Sequence, residues 1–361
     1  MNEQTHLTLR PQEIEAGYPV SKISFDLFCR GEDISRKRSE RLFDEITSGA
    51  MNEIEMTALL VALKIKGETP EEIAGAVSSL SRKAAAFPRP DYLFADCCGT
   101  GGDGALTFNV STTVAFLAAA CGLPVAKHGN RSVSSRAGSA DVLEALGAKI
   151  GLSADAARTC LDESGFTFLF APRYHPAVRH VAHVRRELKT RTVFNILGPL
   201  LNPAHPPVQL VGVYDAGLCR PVAATLKLLG CRSGIVVHGG GLDEVALHGA
   251  TRAAILKDGS VRETTFTLDT LALERHSLKG LAGGSAEDNA EILRAILSGK
   301  GTPAQRLSVA ANTGVLLYAA GLAASPAEGV AAARAALKAG EGRRVLEDFI
   351  RFSKRFGEEA P

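Results

Sequence analysis

The chain has 361 residues, a length that allows two domains, or one large domain with a satellite. Apolar residues make up 45% and charged residues 22%, as in ordinary soluble globular proteins. The net charge of +2 gives no bulk electrostatic reason to expect nucleic acid or an anionic membrane as a partner, although a few basic residues could still converge on a local anion.

Targeting and redox features indicate a cytoplasmic protein. Residues 1–17 are polar and lack the apolar core of a secretion signal. The longest near-apolar run, 114–126, is interrupted by glycine and proline and is shorter than the roughly 20 residues of a membrane span. The seven cysteines include no Cys-x-x-Cys pair, which favours buried, reduced thiols over disulfides or a zinc site.

The chain up to about residue 87 is predicted to be all helical. Apolar spacing indicates helices over 24–29, 39–46 and 56–65. Thr69-Pro70-Glu71-Glu72 begins another helix, with a threonine N-cap, a proline in the first turn and acids facing the helix dipole. Pro88-Arg89-Pro90 then has the composition of a linker.

From Asp91 onward, short apolar runs alternate with helical stretches, which predicts an α/β fold with a mainly parallel central sheet. Several runs are apolar on successive residues, as strands buried on both faces are. The predicted strands are 92–96, 124–127, 166–170, 209–214 and 235–238. The predicted helices are 114–121, 140–146, 154–163, 176–188 and 218–229, with a mostly helical tail from 286.

A glycine-rich turn, residues 98–104 with the sequence CGTGGDG, directly follows the first predicted strand. Its glycines let the backbone approach a ligand and direct N–H groups at it, although a tight strand exit without a ligand is an alternative. Gly99, Gly101 and Gly104 also fit the dinucleotide pattern G-x-G-x-x-G. The helix opens too late for that pattern and no acid follows at the required distance, so NAD is not expected; a Walker A motif is absent as well.

Two further segments carry donors for anionic oxygens. TFNVSTT, residues 107–113, precedes a helix whose N-cap is predicted at Ser111 or Thr112, and a helix N-terminus binds phosphate well. The lysine loop, residues 127–139 with the sequence KHGNRSVSSRAGS, leaves the second strand and is predicted to cap the next helix with Ser139. A flexible solvated loop is the alternative, but Lys127 and His128 lie at the end of a buried strand, where such loops seldom begin.

Arg185 lies on the predicted helix 176–188, whose buried stripe is predicted to contain Ala177, Val181, Val184 and Leu188. A helical wheel places Arg185 about 70° from the centre of the stripe and Arg186 on the solvent side. A half-buried guanidinium usually meets a carboxylate, which could belong to a ligand or to an internal salt bridge. The segment by itself does not decide between these two roles.

The last candidate is the acid loop, residues 239–244, which contains three glycines and then Asp243-Glu244 after a buried strand. Ligands of open α/β sheets bind beyond the carboxyl ends of the strands, and two carboxylates there suit Mg²⁺. A solvated turn is the alternative. Each candidate segment is expected to lie just after a strand, at one edge of a parallel sheet. Together the segments predict a site for a polyphosphorylated substrate, a divalent metal and a carboxylate-bearing partner.

These segments identify a family. The chain resembles anthranilate phosphoribosyltransferases in the strings GTGGDG, TFNVST, KHGNRSVSS, GSADVLEALG, FLFAPRYHPA, VRRELKTRTVFNILGPLLNP, GLDEV and ALLVALKIKGETPEEIAGA. The resemblance implies a helical domain, 1–88 with a returning segment of about 173–200, and an α/β domain, 89–172 with 201–361. It also implies a homodimer formed through the helical domain, and the transfer of the phosphoribosyl group of 5-phosphoribosyl 1-diphosphate to the amine of anthranilate in tryptophan biosynthesis.

The resemblance also implies roles for individual residues. Those expected to bind phosphoribosyl diphosphate are Gly99, Gly102, Asp103, Thr107, Asn109, Val110, Ser111, Thr112, Lys127, His128, Gly129, Asn130, Arg131, Ser132, Val133, Ser134, Ser135 and Ser139. Those expected to bind anthranilate or line its pocket are Gly99, Asn130, Arg185, His128, His175 and Pro199. Ser111, Asp243 and Glu244 would hold Mg²⁺, with two ions expected beside the diphosphate.

No residue is assigned as an obligatory general acid or base, because an aromatic amine is neutral at pH 7 and needs positioning rather than deprotonation to attack. His128 could take up the released proton or act only in packing. Four residues depart from the family pattern: Cys97, Cys98, Ala137 and Lys189, the last where glycine is common. Two alternatives remain, a pyrimidine nucleoside phosphorylase-like enzyme and a nucleic-acid-binding paralogue without catalysis, but the acid pair and the low net charge disfavour them.

Overall fold

The computed structural model describes residues 19–132 and 136–358, so the polar segment 1–17 lies outside the described residues. The chain divides into two compact units, one comprising the residues up to Arg82 with Ala177–Val193 and the other 83–176 with the residues from 194 on. The sequence-based bounds at 88, 173 and 200 assign more residues to the helical unit. The difference arises because Phe87 and Tyr174 are buried in the core of the larger unit, where the Ala85 amide donates to the Tyr174 carbonyl at 2.8 Å.

The described helices are α1 (Val20–Cys29), α2 (Arg36–Ile46), α3 (Glu53–Lys66), α4 (Pro70–Arg82), α5 (Val110–Ala120), α6 (Ser139–Ala145), α7 (Ala154–Ser164), α8 (Ala171–Tyr174), α9 (Ala182–Leu188), α10 (Phe194–Leu197), α11 (Cys219–Leu228), α12 (Ala286–Leu297), α13 (Pro303–Ala320), α14 (Pro326–Ala339) and α15 (Glu341–Glu358). The strands are β1 (Ala95–Gly99), β2 (Val125–Gly129), β3 (Phe166–Phe170), β4 (Val208–Gly212), β5 (Ser233–His238), β6 (Thr251–Lys257) and β7 (Ser260–Phe266).

The smaller unit packs α1–α4 with α9. The predicted start of α4 is confirmed as a capping box, in which Thr69 Oγ1 accepts the Glu72 N–H at 3.3 Å and Glu72 Oε2 accepts the Thr69 N–H at 2.8 Å. Glu72 is 1% exposed, and its carboxylate also meets the Ile34 N–H and Lys66 Nζ, so the buried charge is fully partnered. This network ties the start of α4 to α3 and to the loop before α2.

The segment predicted as one helix over 176–188 begins instead with a 3₁₀ turn, Pro176–Val181, and becomes α-helical at Ala182. Val181 and Val184 are buried as predicted, whereas Ala177 and Leu188, predicted in the same stripe, are only half-buried. Lys189 ends α9 in the left-handed region, at φ 47°. That conformation explains why glycine is common at this position in the family, since a glycine adopts it without steric cost.

The larger unit contains a seven-stranded sheet in the order β3-β2-β1-β4-β5-β6-β7. The first five strands are parallel, which confirms the predicted α/β class, and β6 and β7 run antiparallel at one edge. The β6–β7 hairpin is missing from the sequence-based prediction. Its signal is Asp258-Gly259, whose φ angles of 49° and 69° are those of a type I′ turn.

Strand bounds agree with the prediction for β3 and shift elsewhere. β1 is predicted at 92–96 but pairs with β4 from Ala95 to Gly99, because the paired residues Gly99 and Gly212 continue the ladder into the glycine-rich turn. Helices cover the sheet, and the buried stripe of α5 joins Phe166 and Phe349 in one core. Within the described ranges, no helix combines the length and apolarity needed to cross a bilayer.

The seven cysteines all lie in the described ranges and are free thiols. Cys29 is exposed, contrary to the expectation that the thiols are buried. It is the last residue of α1, directly after the buried Phe28, and lies on the surface of its unit.

Candidate active site

The glycine-rich turn, the lysine loop and the acid loop all follow the carboxyl ends of parallel strands in the larger unit. β1 ends at Gly99, β2 at Gly129 and β5 at His238. The register pairs Gly99 with Gly212 and Gly212 with Val237, so the ends of β1, β4 and β5 lie side by side. The chain segments that leave them therefore meet at one edge of the sheet.

The glycine-rich turn holds the acid loop through its backbone. Gly101, Gly102 and Gly104 have φ angles of 66°, 75° and 75°, which explains the glycines at these positions. The Gly101 N–H donates to Asp243 Oδ2 at 2.7 Å. The Asp103 carboxylate accepts the Ala105 N–H at 3.0 Å and lies 3.4 Å from the Asp243 amide, so the two loops are bonded in both directions.

Three carboxylates gather here: Asp103, Asp243 and Glu244. Burial raises the pKa of Asp243, as does the nearby charge of Asp103, while the Gly101 N–H opposes the shift. Burial also raises the pKa of Glu244 well above its usual range, as does Asp243, while Lys127 opposes it. Within the described ranges no three His, Cys, Asp or Glu side chains form a complete metal cage, so a metal here would take its remaining ligands from water or substrate.

Lys127 is 1% exposed in the middle of β2, two residues before the strand ends, and lies beside the acids. Its Nζ donates to the Cys97 carbonyl at 2.6 Å and to Ser111 Oγ at 3.2 Å. Burial lowers the pKa of the ammonium, but the neighbouring Cys97, Cys98, Asp96 and Glu244 together raise it above its usual value. A charged lysine is thus fixed next to the first turn of α5.

Asp96 and Asn202 belong to this charged core and are missed by the sequence-based prediction. Asp96 is 2% exposed on β1, and its Oδ2 accepts from Asn202 Nδ2 at 2.7 Å. Burial raises the pKa of Asp96 to about 6, opposed by Lys127 and by the Asn202 hydrogen bond. The sequence does carry a signal for Asp96. Lys127 is singled out because it is a charged residue in a buried strand, and the same reasoning applies to Asp96.

The start of α5 differs from the prediction. The N-cap is Asn109, and Ser111 and Thr112 lie in the first turn. Asn109 has φ −72° and ψ 73°, and the Val110 N–H donates to the Phe108 carbonyl at 2.7 Å, which is an inverse γ-turn. This turn starts the helix two or three residues earlier than the predicted Ser111 or Thr112 cap would, and it leaves Thr107 half-buried just before the helix.

The hydroxyls of the first turn of α5 have different surroundings. Ser111 is half-buried and accepts from Lys127. Thr112 is 1% exposed, and its Oγ1 has no hydrogen-bond partner in the described part of the chain. Val110 is buried, so its contribution to a ligand site is through the backbone.

The lysine loop is described except for Val133, Ser134 and Ser135, which lie outside the described residues. Asp141 Oδ2 accepts from the amides of Ser132 at 3.1 Å and Gly138 at 2.8 Å, which closes the two arms of the loop on each other. Ser139, predicted as an N-cap, is the first residue of α6, and Gly138 occupies the cap. The Ser139 hydroxyl instead donates to the Asn130 carbonyl at 3.2 Å.

Arg131 and Asn130 are exposed in the lysine loop. The Arg131 guanidinium donates to Asp141 at 3.0 Å and to Glu144 Oε1 at 2.9 Å, and these partners raise its pKa. Asn130 Oδ1 accepts the Arg131 N–H at 2.7 Å. To bind a phosphate, Arg131 would have to share or release its two acids.

His128 and His175 form a pair beside Pro199. Their ring centroids lie 5.1 Å apart in an edge arrangement. His128 Nδ1 lies 3.2 Å from the Gly198 carbonyl and His175 Nε2 lies 2.8 Å from the Leu201 carbonyl, so each of these nitrogens carries the hydrogen. Burial lowers the pKa of His128 to about 3 and also lowers that of His175, so both rings are neutral.

Arg185 lies on α9 in the smaller unit. It is half-buried and Arg186 is exposed, as the helical wheel predicts. Burial lowers the pKa of Arg185, in keeping with a guanidinium partly removed from water.

Gly99 and Gly212 give the acid loop room to approach the sheet. A β-carbon at Gly212 would overlap the carbonyl oxygen of Asp243, and one at Gly99 would overlap its carboxylate. We expect Gly212→Ala to lower stability by about 1–3 kcal/mol and to reduce turnover, since the acid loop must move. Gly249→Ala is the control, because a β-carbon there meets no atom within 4 Å. The melting temperature and turnover of both variants test this expectation. Equal melting temperatures and equal turnover in the two variants would contradict it.

The chain matches two family models, "Glycosyl transferase family, helical bundle domain" over residues 28–84 and "Glycosyl transferase family, a/b domain" over residues 91–343. It is 52% identical over 335 residues to anthranilate phosphoribosyltransferase of Sorangium cellulosum, covering 93% of this chain and 96% of that one. The anthranilate phosphoribosyltransferase of Aeromonas salmonicida is also 52% identical, over 88% of this chain and 94% of its own.

Two solved structures are similar over nearly the whole chain. Anthranilate phosphoribosyltransferase from Thermus thermophilus superposes with a TM-score of 0.87 at 40% identity, covering 92% of this chain and 99% of that one. The enzyme from Saccharomyces cerevisiae in complex with PRPP and Mg gives a TM-score of 0.84 at 28% identity, covering 93% of this chain and 98% of that one.

Proposed function

The chain belongs to the anthranilate phosphoribosyltransferase family, and we propose that the loops at the sheet edge of its larger unit bind 5-phosphoribosyl 1-diphosphate with Mg²⁺. The reaction transfers the phosphoribosyl group to the amine of anthranilate, giving N-(5-phosphoribosyl)anthranilate and diphosphate on the route to tryptophan. The observation that carries the assignment of the site is the carboxylate pair Asp243-Glu244, bonded to the glycine-rich turn and facing the buried Lys127.

The carboxylates fit Mg²⁺. Burial raises the pKa values of both acids, and repulsion between the neighbouring negative charges raises them further; a divalent cation would relieve that repulsion. Carboxylate and hydroxyl oxygens are the hard ligands that Mg²⁺ takes, together with water and substrate phosphate. Asp243 and Glu244 would hold the metal with Ser111 Oγ, and two ions are proposed beside the diphosphate. Bound Mg²⁺ would neutralise charge on the leaving diphosphate.

The protein groups proposed for phosphoribosyl diphosphate have the chemistry that the reaction needs. Breaking the C1–O bond leaves positive charge on the ribose and additional negative charge on the diphosphate, which positive groups and oriented amides stabilise. Lys127 supplies a fixed positive charge, and the first turn of α5 supplies N–H groups at a helix N-terminus. The amides of the glycine-rich turn, near Gly102 and Asp103, and those of the lysine loop add further donors.

Anthranilate is proposed to bind through Arg185, with Gly99, Asn130, His128, His175 and Pro199 as further contacts or pocket lining. The neutral imidazoles suit an uncharged aromatic amine, since they can accept a hydrogen bond without repelling it. Because the pKa of His128 lies far below neutrality, no general base is assigned. Catalysis then depends on holding the amine in line with the C1–O bond.

The function is tested by following the loss of anthranilate fluorescence with the purified protein. Consumption that requires both phosphoribosyl diphosphate and Mg²⁺, and that yields one diphosphate per anthranilate, is the expected result. Phosphorolysis of uridine or thymidine with no anthranilate consumption would contradict the proposal and favour the phosphorylase alternative.

We also propose a cytoplasmic homodimer that joins through α1 and α3 of the smaller unit. These helices present an apolar face formed by Phe25, Cys29, Ile54, Thr57, Ala58, Val61 and Ile65. Ile54 is 84% and Ile65 80% exposed. Three of the five large apolar side chains exposed in the described ranges lie on this face, and such a cluster is typical of a surface that another protein covers.

The dimer is tested by placing charge on this apolar face. We expect Ile54→Glu with Ile65→Glu to shift the protein from dimer to monomer at micromolar concentration, because each new carboxylate would be desolvated in the interface. Leu322→Glu is the control, since Leu322 is 52% exposed but lies outside this face. Light scattering on a sizing column measures the mass of each, and a wild-type monomer would contradict the proposal.

A further inference from the structure

Asn289 is a buried polar residue near the start of α12, outside the loops that the sequence singles out. It is 3% exposed. Its Oδ1 accepts the Gly284 N–H at 2.9 Å, and its Nδ2 donates to Asn109 Oδ1 at 2.9 Å. The two asparagines are 180 residues apart in the sequence, so this bond fixes one segment of the candidate site to a helix of the C-terminal region.

Asn109 is also hydrogen-bonded to the lysine loop. Its Nδ2 donates to the Ala137 carbonyl at 3.2 Å, and Ala137 belongs to the lysine loop. Asn109 is the N-cap of α5, but its side chain makes no capping bond to its own helix. The side chain instead joins α12 to the lysine loop.

The direction of each amide is fixed by its outer partner. The Ala137 carbonyl only accepts, so Asn109 must present Nδ2 to it and Oδ1 to Asn289. The Gly284 amide only donates, so Asn289 must present Oδ1 to it and Nδ2 to Asn109. If either amide turned over, two like groups would face each other in a buried place, which costs more than losing one bond.

The backbone on both sides is joined as well. The Phe108 N–H donates to the Leu281 carbonyl at 2.9 Å, and the Gly283 N–H donates to the Leu106 carbonyl at 2.9 Å. The segment before α12 therefore runs as a short antiparallel pair beside the segment before α5. The side chain of Asn289 then donates to Asn109, the residue that follows Phe108 in the chain.

We propose that Asn289 is a positioning residue for phosphoribosyl diphosphate, acting through Asn109 to set the first turn of α5 and the lysine loop at the correct separation. This role rests on the proposed function, in which both segments bind that substrate. Asn289 itself touches no substrate, and its effect is on how well the phosphate donors are arranged before the substrate arrives.

The test is Asn289→Asp, which keeps size and shape but replaces the donor facing Asn109 with an oxygen. We expect the KM for phosphoribosyl diphosphate to rise about tenfold, because two oxygens would then face each other where a hydrogen bond now forms. The KM for anthranilate should be unchanged. The matched control is Ser285→Ala. Ser285 caps α12 by accepting the Asp288 N–H at 3.1 Å and does not contact Asn109, so its loss should lower the melting temperature without changing either KM.

A double-mutant cycle with Asn109→Ala decides whether the effect passes through Asn109. The Asn289→Asp change should raise the KM little further once Asn109 is alanine. Additive effects, or a wild-type KM in Asn289→Asp, would overturn the inference. A wild-type protein that fails to use phosphoribosyl diphosphate at all would refute the proposed function instead, so the two failures are distinguishable.

Discussion

Turnover should fall about a hundredfold or more when Asp243 is replaced by asparagine, and again when Glu244 is replaced by glutamine, because each change removes a negative charge from the proposed Mg²⁺ ligands. The replacements keep the shape of the side chains. In Asp243→Asn the side-chain amide oxygen could still accept the Gly101 N–H, so the acid loop should stay in place. Full activity of the double variant in Mg²⁺ would refute the metal assignment.

The same variants should also differ from the wild type in how their stability depends on pH. The folded protein raises the pKa values of both acids, so it binds their protons more tightly than the unfolded chain does. These groups therefore favour folding at pH below their ordinary values, and that contribution is lost as the pH rises through the raised values. Without metal, Asp243→Asn with Glu244→Gln should melt higher than the wild type at about pH 8, and the difference should shrink towards about pH 4.5.

Mg²⁺ provides the complementary measurement. Added with phosphoribosyl diphosphate, it should raise the melting temperature of the wild type, because a ligand that binds only the folded state stabilises it. The double variant should respond much less. Glu287→Gln is the control, since this acid is exposed on α12 and should leave both the pH dependence and the response to Mg²⁺ unchanged. A wild-type melting temperature that does not change when Mg²⁺ and phosphoribosyl diphosphate are added together would contradict the proposed site.

The parts of the fold that the sequence predicts well are those whose signal is local. β3 is apolar on nearly every residue and is predicted with its observed bounds, and the start of α4 with Thr69 as its N-cap is predicted from four adjacent residues. The predicted start of α5 is wrong because a γ-turn at Asn109, not a hydroxyl cap, opens that helix. Nothing in the residue types distinguishes these two starts.

The supporting residues of the candidate site are harder to predict because their partners are distant in the chain. Asn312 is fully buried on α13, and its Oδ1 accepts the Val245 N–H at 3.0 Å, next to Glu244. Buried side-chain hydrogen bonds likewise join Asn289 to Asn109 and Asn202 to Asp96. A polar residue on the apolar face of a helix signals a buried hydrogen bond, but only the packed structure identifies its partner.

Arg185→Ala should weaken anthranilate binding selectively. A charge-assisted pair with a carboxylate contributes roughly 1.5–3 kcal/mol, so its loss should raise the KM for anthranilate about ten- to hundredfold and leave that for phosphoribosyl diphosphate unchanged. Burial lowers the pKa of this guanidinium, which indicates a partly desolvated position where a carboxylate partner is most effective. Arg185→Lys should restore only part of the affinity, because an ammonium cannot form the two parallel hydrogen bonds of the guanidinium.

Arg186→Ala is the matched control, since Arg186 is the next residue of α9 and is exposed. It should change neither KM. A purely structural role for Arg185 makes a different prediction, namely a lower melting temperature in Arg185→Ala with an unchanged KM for anthranilate. Melting temperature and both KM values, measured on the wild type and the three variants, therefore separate substrate recognition from support of the helix. A folded Arg185→Ala protein with the wild-type KM for anthranilate would remove Arg185 from the substrate site.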